Sequence, residues 1–92
     1  MSVVNVLLYG ALASASGTVC VKVEAATVSD VLNSLLTLYG KGFHEILFDL
    51  ERKPRRFINI YVNGRDYRFL NKLETQLAPN DEVSLIPAVS GG

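Results

Sequence analysis

The stretch Thr18–Ala25, TVCVKVEA, restricts this chain's options more than any other. Val19, Val21 and Val23 share one parity, and Thr18, Cys20, Lys22 and Glu24 share the other. Successive side chains of a strand point to opposite faces, so the segment suits a sheet with one buried and one wet face. The period then changes. Thr27 is followed by Val28, Val31, Leu32, Leu35 and Tyr39, the spacing of a single apolar stripe on a helix. Thr27 and Asp30 form a capping box, with Asp in the place more often held by Glu or Gln. A half-wet strand running into a one-striped helix predicts a sheet with a helix laid on one face.

The remaining segments fit that arrangement. Val4, Val6 and Leu8 alternate with Val3, Asn5, Leu7 and Tyr9, which predicts a first strand. GALASASG, residues 10–17, is small and reads as the loop of a hairpin joining the first two strands. Gly40 stands where a helix C-terminal glycine belongs, and Phe43, Ile46, Leu47 and Leu50 suggest a second, shorter helix. FINIYVNG is a strand stopping at an Asn63-Gly64 turn, and RDYRF is a short return. After an irregular stretch, Pro79, Asn80 and Asp81 mark a turn. EVSLIPAV is the last strand, with Val83 and Leu85 inward and Ser84 and Ile86 outward. Pro87 lacks an N–H, so pairing should fray there. This order predicts an α+β fold: a β-grasp, ubiquitin-like mixed sheet, first and last strands adjacent, one main helix on one face. The expected division is a domain over 1–87 and a flexible Gly-Gly tail over 88–92.

Composition narrows the function. Nine basic and nine acidic residues cancel in a chain of 92, so no global field draws nucleic acid or an anionic membrane. No run is long enough for a transmembrane helix. SVVNVLLYGALASASG has the apolar-then-small character of a signal peptide. However, its first charge is Lys22 and Asn5 interrupts it, so it reads as a needed strand and the expected location is cytoplasmic. Cys20 is the only cysteine, which rules out an internal disulfide and suits a reducing compartment. His44 is the only histidine and is expected on a partly exposed helix face. Cys20 shares the wet parity of its strand, with no base predictably near it. There is no metal-ligand spacing and no Gly-rich phosphate loop, so neither a metal nor a bound cofactor is expected. Arg52, Lys53, Arg55 and Arg56 read as a solvated loop or as a docking point for an acidic partner or for phosphate.

The sequence closes on SLIPAVSGG. Two glycines after a strand present no Cβ, so this end can thread a slot too narrow for any other residue. The expected threading segment is Pro87, Ala88, Val89, Ser90 and Gly91, leading to the α-carboxylate of Gly92. That carboxylate can attack the α-phosphate of ATP and become an acyl-adenylate, with the ATP site on another protein. No side chain of this chain is expected to be catalytic. On the outer sheet face, Leu7, Tyr61 and Ile86 are expected to meet as a partner-docking patch.

VNGRDYRFLNKLETQLAPNDEVSLIPAVSGG resembles the end of the ubiquitin-like sulfur carriers, most closely the small subunit of molybdopterin synthase. The shared features fall on Val62-Asn63, Leu70 to Leu77, Asp81-Glu82-Val83 and Pro87 to Gly92. The element order resembles the family throughout, while the specific motifs occupy about the last third. Ala88 departs from the pattern, standing where the family often has a second proline, so this tail should be less stiff. The resemblance implies adenylation of Gly92 by a ubiquitin-activating-type enzyme that uses ATP. A sulfur donor would then replace the adenylate to give a thiocarboxylate. The tail would insert into the large subunit of molybdopterin synthase and pass sulfur to a pterin precursor. Related β-grasp proteins instead join their terminal glycine to target lysines, or carry sulfur for tRNA thiolation, and both chemistries begin with the same adenylate. A thiamine-pathway carrier fits less well, because that tail usually lacks Pro-x-Val.

Overall fold

In the computed structural model, which describes residues 1–51 and 53–87, five strands form one sheet in the order β2-β1-β5-β3-β4. The strands are β1 (Ser2–Leu8), β2 (Cys20–Ala25), β3 (Ile58–Val62), β4 (Arg65–Asp66) and β5 (Glu82–Pro87). The helices are α1 (Gly10–Ser16) and α2 (Val28–Leu47). β1 runs antiparallel to β2 and parallel to β5, and β3 is antiparallel to β5. The first and last strands therefore lie side by side, with β5 at the centre. This is the expected α+β, ubiquitin-like β-grasp arrangement.

The core follows from the two periodicities. Val4, Val6 and Leu8 of β1, Val23 and Ala25 of β2, Ile58, Ile60 and Val62 of β3, and Val83 and Leu85 of β5 are buried on one face. The α2 stripe Val28, Val31, Leu32 and Leu35 covers them. Truncating a fully buried leucine such as Leu35 to alanine should cost about 2–5 kcal/mol. The capping box is formed: the Thr27 hydroxyl accepts from the Asp30 N–H at 3.3 Å, and the Asp30 carboxylate accepts from the Thr27 N–H at 3.1 Å. Such a cap is worth about 1 kcal/mol.

Four local expectations change. GALASASG is not a loop: Gly10–Ser16 is the helix α1, anchored by buried Leu12 and closed by Gly17. Its alanines favour the helix, and packing on α2 and β5 supplies what a seven-residue helix lacks alone. Val19 is 68% exposed because β2 starts one residue later. Gly40 does not end the helix but breaks it, at φ 77° and ψ −157°, a region only glycine occupies without strain. The shorter helix after it puts Phe43 and Leu47 in the core, but it ends at Leu47 and leaves Leu50 fully exposed.

Candidate functional site

β5 is the centre of the site because it carries the chain toward the glycines. Its start is fixed by a clasp. Asn63, in the β3–β4 turn at φ 51°, accepts at Oδ1 from the Glu82 N–H at 2.9 Å and donates from Nδ2 to Asp81 at 3.0 Å. Asp81 also accepts from the Ala78 N–H at 2.8 Å, closing the Pro79-Asn80 turn. The Asn63 N–H donates to the Glu82 C=O at 2.8 Å, and the Asn5 N–H to the Asp81 C=O at 2.9 Å. Val62-Asn63 and Asp81-Glu82-Val83 were legible as motifs; their joint role in setting β5 was not.

At its other end β5 reaches Pro87, still in register opposite Ile58. The Tyr9 N–H donates to the Leu85 C=O at 3.2 Å, tying the start of α1 to the same end of the strand. Pro87 is the one residue of the expected threading segment within the described structure. Ala88, Val89, Ser90, Gly91 and Gly92 lie outside the described residues, as does Arg52.

The outer face brings the three residues of the expected docking patch close together. The pairings Cys20↔Leu7, Leu7↔Ser84, Ser84↔Tyr61 and Tyr61↔Asp66 form a continuous row across all five strands. Ile86 is the next outward residue of β5 and pairs with Asn59. Leu7, Tyr61 and Ile86 are all part-exposed and flank Ser84. A feature missed in the sequence borders them: Arg68 pairs with Asp66 at 2.6 Å and reaches Asn59 Oδ1 at 3.5 Å. Hydrogen bonds from Arg68 hold the Asp66 carboxyl below its ordinary range, and the pair raises the guanidinium in return. The spacing of Asp66 and Arg68 in RDYRF was the available signal.

The other singled-out residues lie elsewhere. Cys20 is exposed at the β2 end of the row. His44 is on α2, half-buried against Phe48 with ring centroids 5.3 Å apart. The two occupy opposite faces of the sheet and cannot form a nucleophile–base pair. In the basic loop, Arg55 donates to the Glu45 C=O at 2.9 Å, and Asp49 accepts from the Glu51 and Lys53 N–H groups. Those bonds, led by the one from Lys53, lower the Asp49 carboxyl's affinity for its proton. Among the described residues, no helix is long and apolar enough to cross a membrane.

A small mixed sheet whose parallel first and last strands lie side by side, with the main helix on one face, defines a ubiquitin-like β-grasp protein. The profile of the ThiS family matches residues 6–92, and the chain belongs to that family. It is 43% identical over 70 residues to a putative sulfur carrier protein of Archaeoglobus fulgidus, covering 75% of this chain and 77% of the relative. Small archaeal modifier protein 1 of Methanosarcina acetivorans superposes with a TM-score of 0.87 at 36% identity, covering 100% of this chain and 98% of that one. A chain of the Amycolatopsis orientalis BexX/CysO complex superposes with a TM-score of 0.82 at 31% identity, covering 97% and 99%.

Proposed function

We propose that this chain is a sulfur carrier acting through the carboxylate of Gly92. The observation that supports it most is that the family match runs through Gly92, while the central strand β5 carries the chain to Pro87, five residues short of it. In the first step a Gly92 carboxylate oxygen attacks the α-phosphorus of ATP and pyrophosphate leaves, on a partner adenylating enzyme that binds the nucleotide. In the second, a sulfur donor at the sulfide level attacks the carbonyl carbon and AMP leaves, giving the thiocarboxylate. The tail Pro87 to Gly91 threads the partner's slot, and Leu7, Tyr61 and Ile86 dock the body of the protein. A thiocarboxylate hydrolyses in water, so a partner pocket that buries the tail protects it. The resemblance of the last third supports a pterin precursor held by the large subunit of molybdopterin synthase as the acceptor, and the need for ATP suits a cytoplasmic setting.

A second reading is favoured by the likeness to a small archaeal modifier protein: Gly92 joined to lysines of target proteins. Both readings require the adenylate and diverge after it. Removing Gly91 and Gly92 should abolish pyrophosphate exchange with the adenylating enzyme. An undiminished exchange rate would remove both readings. Higher-mass conjugates in a cell extract that vanish with the same deletion would select the modifier. Transfer of sulfur to the pterin precursor in the presence of the large subunit would select the carrier.

A further inference from the structure

β2 is an edge strand, and its outward-facing backbone is already bonded at Cys20 and, just past the strand, at Ala26. The Leu8 N–H donates to the Val19 C=O, so the alternation of an antiparallel ladder turns the polar groups of Val19, Val21, Val23 and Ala25 toward β1. Those of Cys20, Lys22, Glu24 and Ala26 turn outward. At one end the Thr18 hydroxyl accepts from the Cys20 N–H at 3.3 Å and donates to the Cys20 C=O at 2.9 Å. At the other, the Ala26 N–H donates to the Asp30 carboxylate at 2.9 Å, and the Ala26 C=O accepts from the Leu77 N–H at 2.9 Å. The edge is thus closed at both ends and open only at Lys22 and Glu24.

That opening is self-complementary. If two copies meet antiparallel about a two-fold axis at Val23, Lys22 of one copy stands opposite Glu24 of the other, twice. Both positions turn their N–H and C=O groups to the seam, so each rung makes two backbone hydrogen bonds. The side chains of Lys22 and Glu24 lie on the outer face, are exposed and make no ion pair among the described residues. Along the same edge, a groove of about 410 Å³ between β2 and α2 is lined by Lys22, Val23 and Glu24 on one side and by Ser34, Thr37 and Leu38 on the other, with Met1 beside them. Leu38, 55% exposed, would meet its symmetry mate above the paired Val23 residues. An unprotected edge normally invites uncontrolled pairing; here the two end closures permit one register.

We propose that this protein forms a two-fold homodimer through the Lys22–Glu24 window of β2, fusing two five-stranded sheets into one. The window is two strands removed from β5, so the dimer leaves Tyr61, Ile86 and the Pro87 end of β5 free. Charge exchange gives the test. In analytical ultracentrifugation at low salt, the wild-type chain should dimerise with rising concentration, and added salt should weaken the dimer. Lys22→Glu alone or Glu24→Lys alone places like charges in both rungs and should weaken association at least about tenfold. The double variant should restore it, and an equimolar mixture of the two single variants should form heterodimers. Circular dichroism melts confirm that each variant is folded. A wild-type chain still monomeric at about 1 mM would overturn the proposal and leave the edge to another occupant. Single variants that associate as tightly as wild type would overturn it too. These readouts are independent of adenylation, which all four proteins should undergo equally.

Discussion

Replacing Asn63 by alanine tests whether the clasp sets β5. The side chain makes two hydrogen bonds, one from the Glu82 N–H and one to Asp81. The site is exposed, so each bond contributes about 0.5–1 kcal/mol net. Asn63 also sits at φ 51°, where alanine costs about 1–2 kcal/mol and asparagine or glycine less. Asn63→Ala should therefore lose about 2–3 kcal/mol. Asn63→Gly removes the same bonds but tolerates the angle, and should lose about 1–2 kcal/mol. At roughly 4–8 °C per kcal/mol for a domain of this size, alanine should melt about 10–20 °C below wild type, with glycine between. Urea titration with a shared m-value gives the free energies directly. Indistinguishable glycine and alanine variants would refute the backbone part of the reasoning. An alanine variant within about 0.5 kcal/mol of wild type would refute the clasp itself.

Gly40→Ala should lower stability by about 1–3 kcal/mol although open space surrounds the added methyl, because the strain lies in the backbone and not in a contact; thermal melts will show it. Tyr61→Asp with Ile86→Asp should weaken binding to the adenylating enzyme or the large subunit by about tenfold or more without lowering the melting temperature comparably, and an unchanged titration would dismiss the patch. Asp66, with its folded pKa held below the ordinary 3.8, stabilises the fold above that value and loses its contribution as pH falls through the lowered one. The gap in melting temperature between wild type and Asp66→Asn should thus be widest near neutrality and close below about pH 4.

The strands and α2 were legible because each has one buried face that the pattern exposes directly. Val83 and Leu85 against Ser84 and Ile86 is a clear instance. α1 was hidden because Leu12 is its one buried residue, so GALASAS carries no stripe to count. Gly40 signalled a helix end correctly in its local geometry, yet Phe43 and Leu47 needed the same core and drew the chain back into helix. Val19 and Leu50 failed for a common reason: periodicity marks a face but not where pairing stops. The row from Cys20 to Asp66 depends on cross-strand register, which no single segment encodes. The Asp66–Arg68 pair and the Asn63 clasp likewise appear only once β3, β4 and β5 are aligned.

The central claim is that Gly92 carries sulfur, and intact-protein mass spectrometry addresses it most directly. The chain is incubated with ATP, the adenylating enzyme and a sulfur donor, then fragmented. The account predicts a product heavier by the exchange of one oxygen for sulfur, confined to the C-terminal fragment. The same product should form with Cys20→Ala and with His44→Ala, and should be absent when one residue is added after Gly92. Sulfur found instead on Cys20 as a persulfide, with the C-terminal fragment unchanged, would contradict it.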